Sequence, residues 1–333
     1  MDNKINIRDI SIIIQGPIYD CTKQTLKNVR HFFPDAELIL STWNNQNTTG
    51  LDADIIVKSE DPGGGISWDN PVIYHAANRQ IVGVYAGLKN ATRTYALKIR
   101  TDMYFENVNF LNYMNKYEKR CEKYKILKER VLLSTSFALN PRRDPKPFHP
   151  SDWFFFGLTE DLLNIFNSKL LPEPESSQWF RTRQRPICRY DAWFPAYCRY
   201  QTEQYIWLAF VMRNSDVICN DTYDISDNNI EKSEIIFANN SVLLDASKIR
   251  YSSYKYKKMH KLCDLSLMYS HREWLQLYKK YCDSKIKIPL FDWEKIRRCY
   301  WALKMKRKGR IKFNLKSLFE LEFKKPFKNN SNT

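Results

Sequence analysis

Glycine is scarce in this chain. Only 9 of its 333 residues are Gly, too few for a collagen-like or low-complexity architecture. Long apolar runs are missing as well: no stretch approaches the roughly 18–20 residues a bilayer span requires. The chain starts Met1-Asp2-Asn3-Lys4-Ile5, without the apolar core of a secretory signal. Its eight cysteines, at 21, 121, 188, 198, 219, 263, 282 and 299, include no Cys-x-x-Cys pair. That spacing argues against a disulfide framework or a structural zinc site and for reduced thiols. A cytoplasmic protein is expected. What is present is a globular composition, 43% hydrophobic and 14% aromatic, long enough for one large domain or two unequal ones.

Charge is distributed unevenly. Residues 1–244 hold 29 Lys and Arg against 29 Asp and Glu; residues 245–333 hold 24 against 8. The whole net charge of +16 therefore lies in the last 89 residues. This sets an expected boundary near 245, with a charge-balanced unit over 1–244 and a basic helical segment over 245–333. Aromatics are interleaved with the charge, as in Tyr254-Lys255-Tyr256-Lys257-Lys258 and Arg297-Arg298-Cys299-Tyr300-Trp301. Anionic membrane surface suits such a segment, because Lys and Arg meet lipid charge and Trp and Tyr favour the interface. Nucleic acid suits it less, since no helix-turn-helix, RRM or zinc-finger pattern accompanies it. A segment that merely solubilises is the bland third reading.

The elements alternate. Residues 9–15 read as a buried parallel strand that stops at Gly16-Pro17. Residues 20–33 read as a helix capped by Asp20. Strands follow at 36–42 and 54–58, then a loop over 59–71 with Asp61-Pro62-Gly63-Gly64-Gly65 inside it, a helix over 72–90 and a strand over 94–99 that runs into Arg100-Thr101-Asp102. Residues 107–130 read as a charged amphipathic helix, 131–134 and 153–156 as strands, and 161–166 as a helix capped from Thr159. Another helix covers 202–212, with Thr202 as its cap. Basic helices are expected at about 257–281, 292–307 and 314–322. Strand, helix, strand at short intervals means an α/β fold with right-handed crossovers.

In open α/β sheets, ligands bind beyond the carboxyl ends of the strands. Asp102 stands at such an end. Asn78 and Arg79 lie one helix earlier, Lys98 lies in the same strand, and Gln15-Gly16-Pro17 ends the first strand. All would converge on one edge, where Arg and Lys suit phosphates.

Six segments in this order resemble the WavE lipopolysaccharide-synthesis family of bacteria, and in layout the GT-A type of nucleotide-sugar glycosyltransferase. They are Ile12-Ile13-Ile14-Gln15-Gly16-Pro17-Ile18-Tyr19, Ser41-Thr42-Trp43-Asn44, Asn78-Arg79-Gln80-Ile81, Leu97-Lys98-Ile99-Arg100-Thr101-Asp102, Ser151-Asp152-Trp153-Phe154-Phe155-Phe156-Gly157 and Glu203-Gln204-Tyr205. The resemblance implies a Rossmann-like, mostly parallel sheet flanked by helices. It also implies transfer of a sugar from a nucleotide-sugar donor to a lipopolysaccharide core or capsule glycan, free or lipid-linked, at the inner face of the cytoplasmic membrane.

GT-A sites normally place Asp-x-Asp on a divalent cation, Mg²⁺ or Mn²⁺. Here the triplet is Arg100-Thr101-Asp102, so Asp102 is the expected metal ligand and Arg100 stands where it can offset phosphate charge directly. Asp102, Arg79 and Lys98 would hold the diphosphate. Gln15, Gly16, Pro17, Trp43, Asn78, Arg100 and Trp153 would line the substrate. Glu203 and Asp152 compete as the base. Glu203 is preferred, because inverting enzymes of this type place the base at a helix start, where the dipole is expected to keep it ionised; Asp152 would then orient a sugar. The rivals are a sugar-phosphate or nucleotidyl transferase on the same scaffold, and a basic non-enzymatic nucleic-acid-binding protein.

Overall fold

Three successive isoleucines, Ile12-Ile13-Ile14, leave a strand no polar side, and the chain buries both of its faces: every residue of β1 (Ile10–Gln15) is buried. The computed structural model describes residues 5–66, 74–184, 198–255 and 267–307. After β1 come α1 (Thr22–Phe32), β2 (Glu37–Trp43), β3 (Ile55–Ser59), the short β4 (Gly65–Ile66) and β5 (Tyr74–His75), α2 (Ala77–Lys89), β6 (Tyr95–Arg100), β7 (Met103–Phe105), β8 (Val131–Ser134) and β9 (Phe155–Leu158). The remainder is α3 (Thr159–Phe166), α4 (Thr202–Asn214), α5 (Asn229–Asn240), β10 (Ser241–Leu244), α6 (Ala246–Ile249), β11 (Tyr251–Ser253), α7 (His271–Tyr281) and α8 (Trp293–Arg307).

Seven strands form the central sheet in the order β10-β8-β9-β6-β1-β2-β3. Pairing is parallel except at β9, which runs antiparallel to both β6 and β8. This is a mixed α/β, Rossmann-like sheet flanked by helices. The carboxyl ends of β1, β2 and β6 therefore share one edge, and the segment entering β9 arrives at that same edge.

Helix α2 packs on β1 and β2 and against α3 and α4. It comes unusually close to the sheet. A Cβ built at Gly87 would stand 2.6 Å from Ile13 Cγ2, and Ser41 Oγ donates to the Gly83 carbonyl at 2.6 Å. Gly87→Ala should cost about 1–3 kcal/mol through overpacking, read as a lowered urea midpoint with unchanged slope.

The change in charge at 245 does not coincide with a break in the core. Tyr251, Tyr269, Trp274 and Tyr278 share one buried cluster with β1 and β6. Strand β11 pairs with β7, and α7 packs on α5 and β10.

Several local expectations are corrected. Residues 107–130 are not one helix but two short 3₁₀ turns, Asn109–Tyr113 and Glu122–Tyr124, joined by irregular chain. Asp20 does not cap α1; Thr22 Oγ1 instead accepts from the Tyr19 N–H at 2.9 Å. Thr159 opens α3 with its hydroxyl donating to the Arg93 carbonyl at 2.7 Å, outside the capping role. Thr202 is the first helical residue of α4, and its hydroxyl accepts from the Ala76 N–H at 3.2 Å. The helix expected over 72–90 is α2, beginning at Ala77. Of the three basic helices expected, α7 and α8 lie among the described residues; 256–266 and 308–333, including the helix at 314–322, lie outside them.

Candidate functional site

The first strand leaves the sheet through Gly16, whose φ of +138° is a conformation that side-chain-bearing residues rarely adopt. The turn is clamped to the end of β6. The Thr101 N–H donates to the Gln15 carbonyl at 3.3 Å, and Thr101 Oγ1 donates to the Pro17 carbonyl at 2.7 Å. The Gln15 side chain is buried and lies against Gly83 of α2.

Asp102 is fully buried at this edge. Arg100 grips it with a fork, Nε to Oδ1 at 2.9 Å and Nη2 to Oδ2 at 3.1 Å, and Ser253 Oγ of β11 donates to Oδ2 at 2.9 Å. The Asp102 carbonyl accepts from the Tyr254 N–H at 2.8 Å. The guanidinium of Arg100 lies 4.6 Å from the Trp153 ring centre, and Trp153 stacks on Phe137 at 5.4 Å. Such a cation held between a carboxylate and an aromatic face is oriented as well as charged.

These residues do not fit a divalent cation. Both oxygens of Asp102 already accept from Arg100 and Ser253, and among the described residues no group of three His, Cys, Asp or Glu side chains converges. The positive charge at this place is Arg100's.

Next to it lies a buried polar cluster. Lys98 Nζ donates to Gln80 Oε1 at 2.8 Å and to the Asp152 carbonyl; Gln80 Nε2 donates to Asp152 Oδ2. Asp152 Oδ1 is buried with no hydrogen-bond partner. Burial pulls the Lys98 ammonium down to about 8, against the opposing pull of Asp152. Lys98 also feels Arg100, Glu203 and Asp102.

Glu203 occupies the first turn of α4. Its carboxyl is pushed up to about 8, first by desolvation and then by the neighbouring Asp152, with Arg100 and Lys98 pulling the other way. The expectation that the helix dipole keeps Glu203 ionised is thus reversed. A dipole acts within one turn and contributes about 0.3–1 kcal/mol at exposed positions, less than the loss of water beside a second carboxylate. A carboxyl that holds its proton above the ordinary carboxylate range is suited to taking and giving a proton.

Other expected residues serve elsewhere. Asn78 brackets Leu171, donating to its carbonyl at 3.0 Å and accepting from its N–H at 2.8 Å. Arg79 holds Asp61 of the glycine-rich loop through two hydrogen bonds of 2.6 Å. Trp43 is buried at the end of β2. Lys98 donates into the cluster with Gln80 and Asp152. Lys98, Arg100, Asp102, Asp152, Trp153 and Glu203 do meet, beside the Gln15-Gly16-Pro17 turn. Sequence reasoning missed Gln80, Ser253 and Phe137. Gln80 stood inside a motif already singled out, whereas Ser253 carries no local signal and joins the site only because β11 pairs with β7.

No match to this chain was found among curated proteins. A family model described as WavE lipopolysaccharide synthesis matches residues 10–312, a span that includes every residue of this edge and crosses the charge boundary at 245. The chain belongs to the WavE lipopolysaccharide-synthesis family.

Proposed function

We propose that the chain is a glycosyltransferase of GT-A type that moves a sugar from a nucleotide-sugar donor to a lipopolysaccharide-core or capsule glycan, working in the cytoplasm at the inner face of the membrane. The family supplies the role in lipopolysaccharide synthesis. The observation that carries the rest is the meeting of Glu203 and Asp152 with Arg100 at the carboxyl edge of a mostly parallel sheet.

In this reading Glu203, once ionised, takes the proton of the acceptor hydroxyl. The acceptor oxygen forms its bond to the sugar's anomeric carbon as the bond from that carbon to the phosphate oxygen breaks. The diphosphate leaves with the electron pair, and Arg100 offsets the charge that develops on it. Asp152 sets the protonation of Glu203 and orients a sugar hydroxyl through its unpaired Oδ1. The buried Trp153 ring, backed by Phe137, steadies the Arg100 guanidinium.

The test is a screen of UDP- and CMP-sugars by thermal shift, followed by product analysis with glycan acceptors. A donor at a hundredfold excess over its dissociation constant should stabilise the chain by about 2.7 kcal/mol. The shift should survive EDTA, because Arg100 supplies the charge beside Asp102. A shift abolished by EDTA would put a cation there, and absence of both shift and product would remove the transferase reading.

A further inference from the structure

Helix α8 is mounted with its polar side inward. Glu294 and Arg298 are only 6% and 2% exposed. Arg298 donates from Nε to Glu294 Oε1 at 3.0 Å, from Nη1 to the carbonyls of Met268 and Tyr269 at 3.2 and 2.8 Å, and from Nη2 to Thr135 Oγ1 at 3.0 Å. Lys295 Nζ lies 2.6 Å from Glu273 Oε1. The apolar side faces out: Trp293 is 72% exposed, and Ile296 and Tyr300 about half so. These three positions fall within an arc of about 60° at 100° per residue. Leu290 and Phe291 extend the exposed apolar surface, with the Phe291 ring 5.8 Å from that of Trp293. An ordinary surface helix has the opposite arrangement.

Cations accompany this face. Lys304 Nζ lies 5.8 Å from the Tyr300 ring centre, half-exposed Arg297 is paired with Glu294, and exposed Lys285 and Lys287 precede the face in the chain, within a segment whose net charge is +16. A second copy of the same chain would bring the same charge against itself. Aliphatic Leu290 and Ile296 offer nothing to phosphates or stacked bases. Trp, Tyr and Phe with aliphatics, rimmed by Lys and Arg, match the headgroup boundary of an anionic bilayer, where rings sit at the interface and ammonium groups meet lipid phosphate.

We propose that the face formed by Leu290, Phe291, Trp293, Ile296 and Tyr300 seats in the headgroup layer of an anionic membrane. Helix α8 then lies in the membrane plane, and the ion pairs of Arg298 and Lys295 fix it to the body. The role is that of a surface anchor: no described helix is long and apolar enough to cross a bilayer. The inference rests on the membrane location in the proposed function and names the residues that would make the contact; its test is separate from the transferase reading, because vesicle binding is measured without substrate.

The experiment is co-sedimentation of the full chain with phosphatidylcholine vesicles, with and without phosphatidylglycerol. The chain should bind only the anionic vesicles, more weakly at high salt. The double variant Trp293→Ser with Ile296→Ser should lose at least about tenfold in partitioning while keeping the wild-type circular dichroism spectrum and melting temperature, since both side chains are exposed. Trp293→Phe should keep binding but show less quenching of tryptophan emission by brominated lipid. Equal binding by the double variant would assign the contact to another part of the chain and overturn the proposal. So would failure of the wild type to bind anionic vesicles, including the case in which it forms dimers that the double variant does not.

Discussion

Glu203→Gln is expected to slow sugar transfer by about 10²–10⁴-fold, the usual contribution of a positioned base, with donor binding retained. The pH dependence follows from the raised carboxyl. Glu203 holds its proton well above the ordinary carboxylate range because it is desolvated beside Asp152, and only its ionised form accepts a proton. kcat/KM should therefore rise with pH through that raised value in the wild type, and the variant should lack this limb. Asp152→Asn removes the adjacent negative charge, so its limb should move to lower pH.

The stability sign is opposite to the activity sign. An acid whose folded pKa exceeds its unfolded one favours folding while neutral, and this contribution is lost as pH rises from the unfolded value through the folded one. Glu203→Gln suffers no such loss. Its melting temperature at alkaline pH should equal or exceed the wild type's, whereas a variant inactive through misfolding would melt lower. Wild-type turnover by Glu203→Gln would remove Glu203 as the base.

Legibility differed from place to place for physical reasons. The run Ile12-Ile13-Ile14 has only one comfortable environment, a strand covered on both faces, and β1 is that strand. Asp102 follows strand β6, Asp152 precedes strand β9 and Glu203 lies in the first turn of α4, and such element boundaries are visible in a one-dimensional pattern. Residues 107–130 misled because their backbone partners are distant. Asn240 Oδ1 accepts from the N–H groups of Ile126 and Leu127 at 2.8 and 3.1 Å, and Asn239 Oδ1 accepts from that of Cys121 at 2.7 Å. Asp161 accepts from the N–H groups of Lys128 and Glu129 at 2.9 and 2.8 Å. Tertiary acceptors more than 30 or 100 positions away thus replace the i−4 carbonyls that the charge pattern suggested. The raised carboxyl of Glu203 was hidden for the same reason: its causes are desolvation first and then the charge of Asp152, and both are set by the fold. The charge boundary at 245 was real in composition, yet charge lies on surfaces, and Trp274 and Tyr278 pass beneath it into the common core.

Arg298→Ala is expected to cost about 3–5 kcal/mol, the range for breaking a buried ion pair from one side. Arg298 joins three parts of the chain: Thr135 after β8, the carbonyls of Met268 and Tyr269 before α7, and Glu294 of its own helix. Asp245, also buried, lies 3.9 Å away. Although burial opposes it, Arg298 with Arg297 holds the Glu294 carboxyl below its usual range. Asp245 already titrates above its usual range through desolvation, with Arg298 as the main opposing pull. Removing the guanidinium takes from buried Asp245 its main opposing pull and leaves buried Glu294 with Arg297, which donates to it from Nε at 3.0 Å and from Nη2 at 2.5 Å. Both carboxyls must then take up protons more readily in the folded state, so the variant's deficit should be greatest at neutral pH. It should shrink as pH falls through the carboxylate range, because a depressed carboxyl contributes its stability above its unfolded pKa and loses it on protonation. Urea unfolding at neutral and acidic pH measures this difference directly. A deficit that stays constant with pH would mean that Arg298 acts through its hydrogen bonds to Thr135, Met268 and Tyr269 rather than through the carboxylates. Arg298→Lys separates the two contributions, since it keeps the charge but cannot span three directions with a planar fork, and it should fall between wild type and Arg298→Ala.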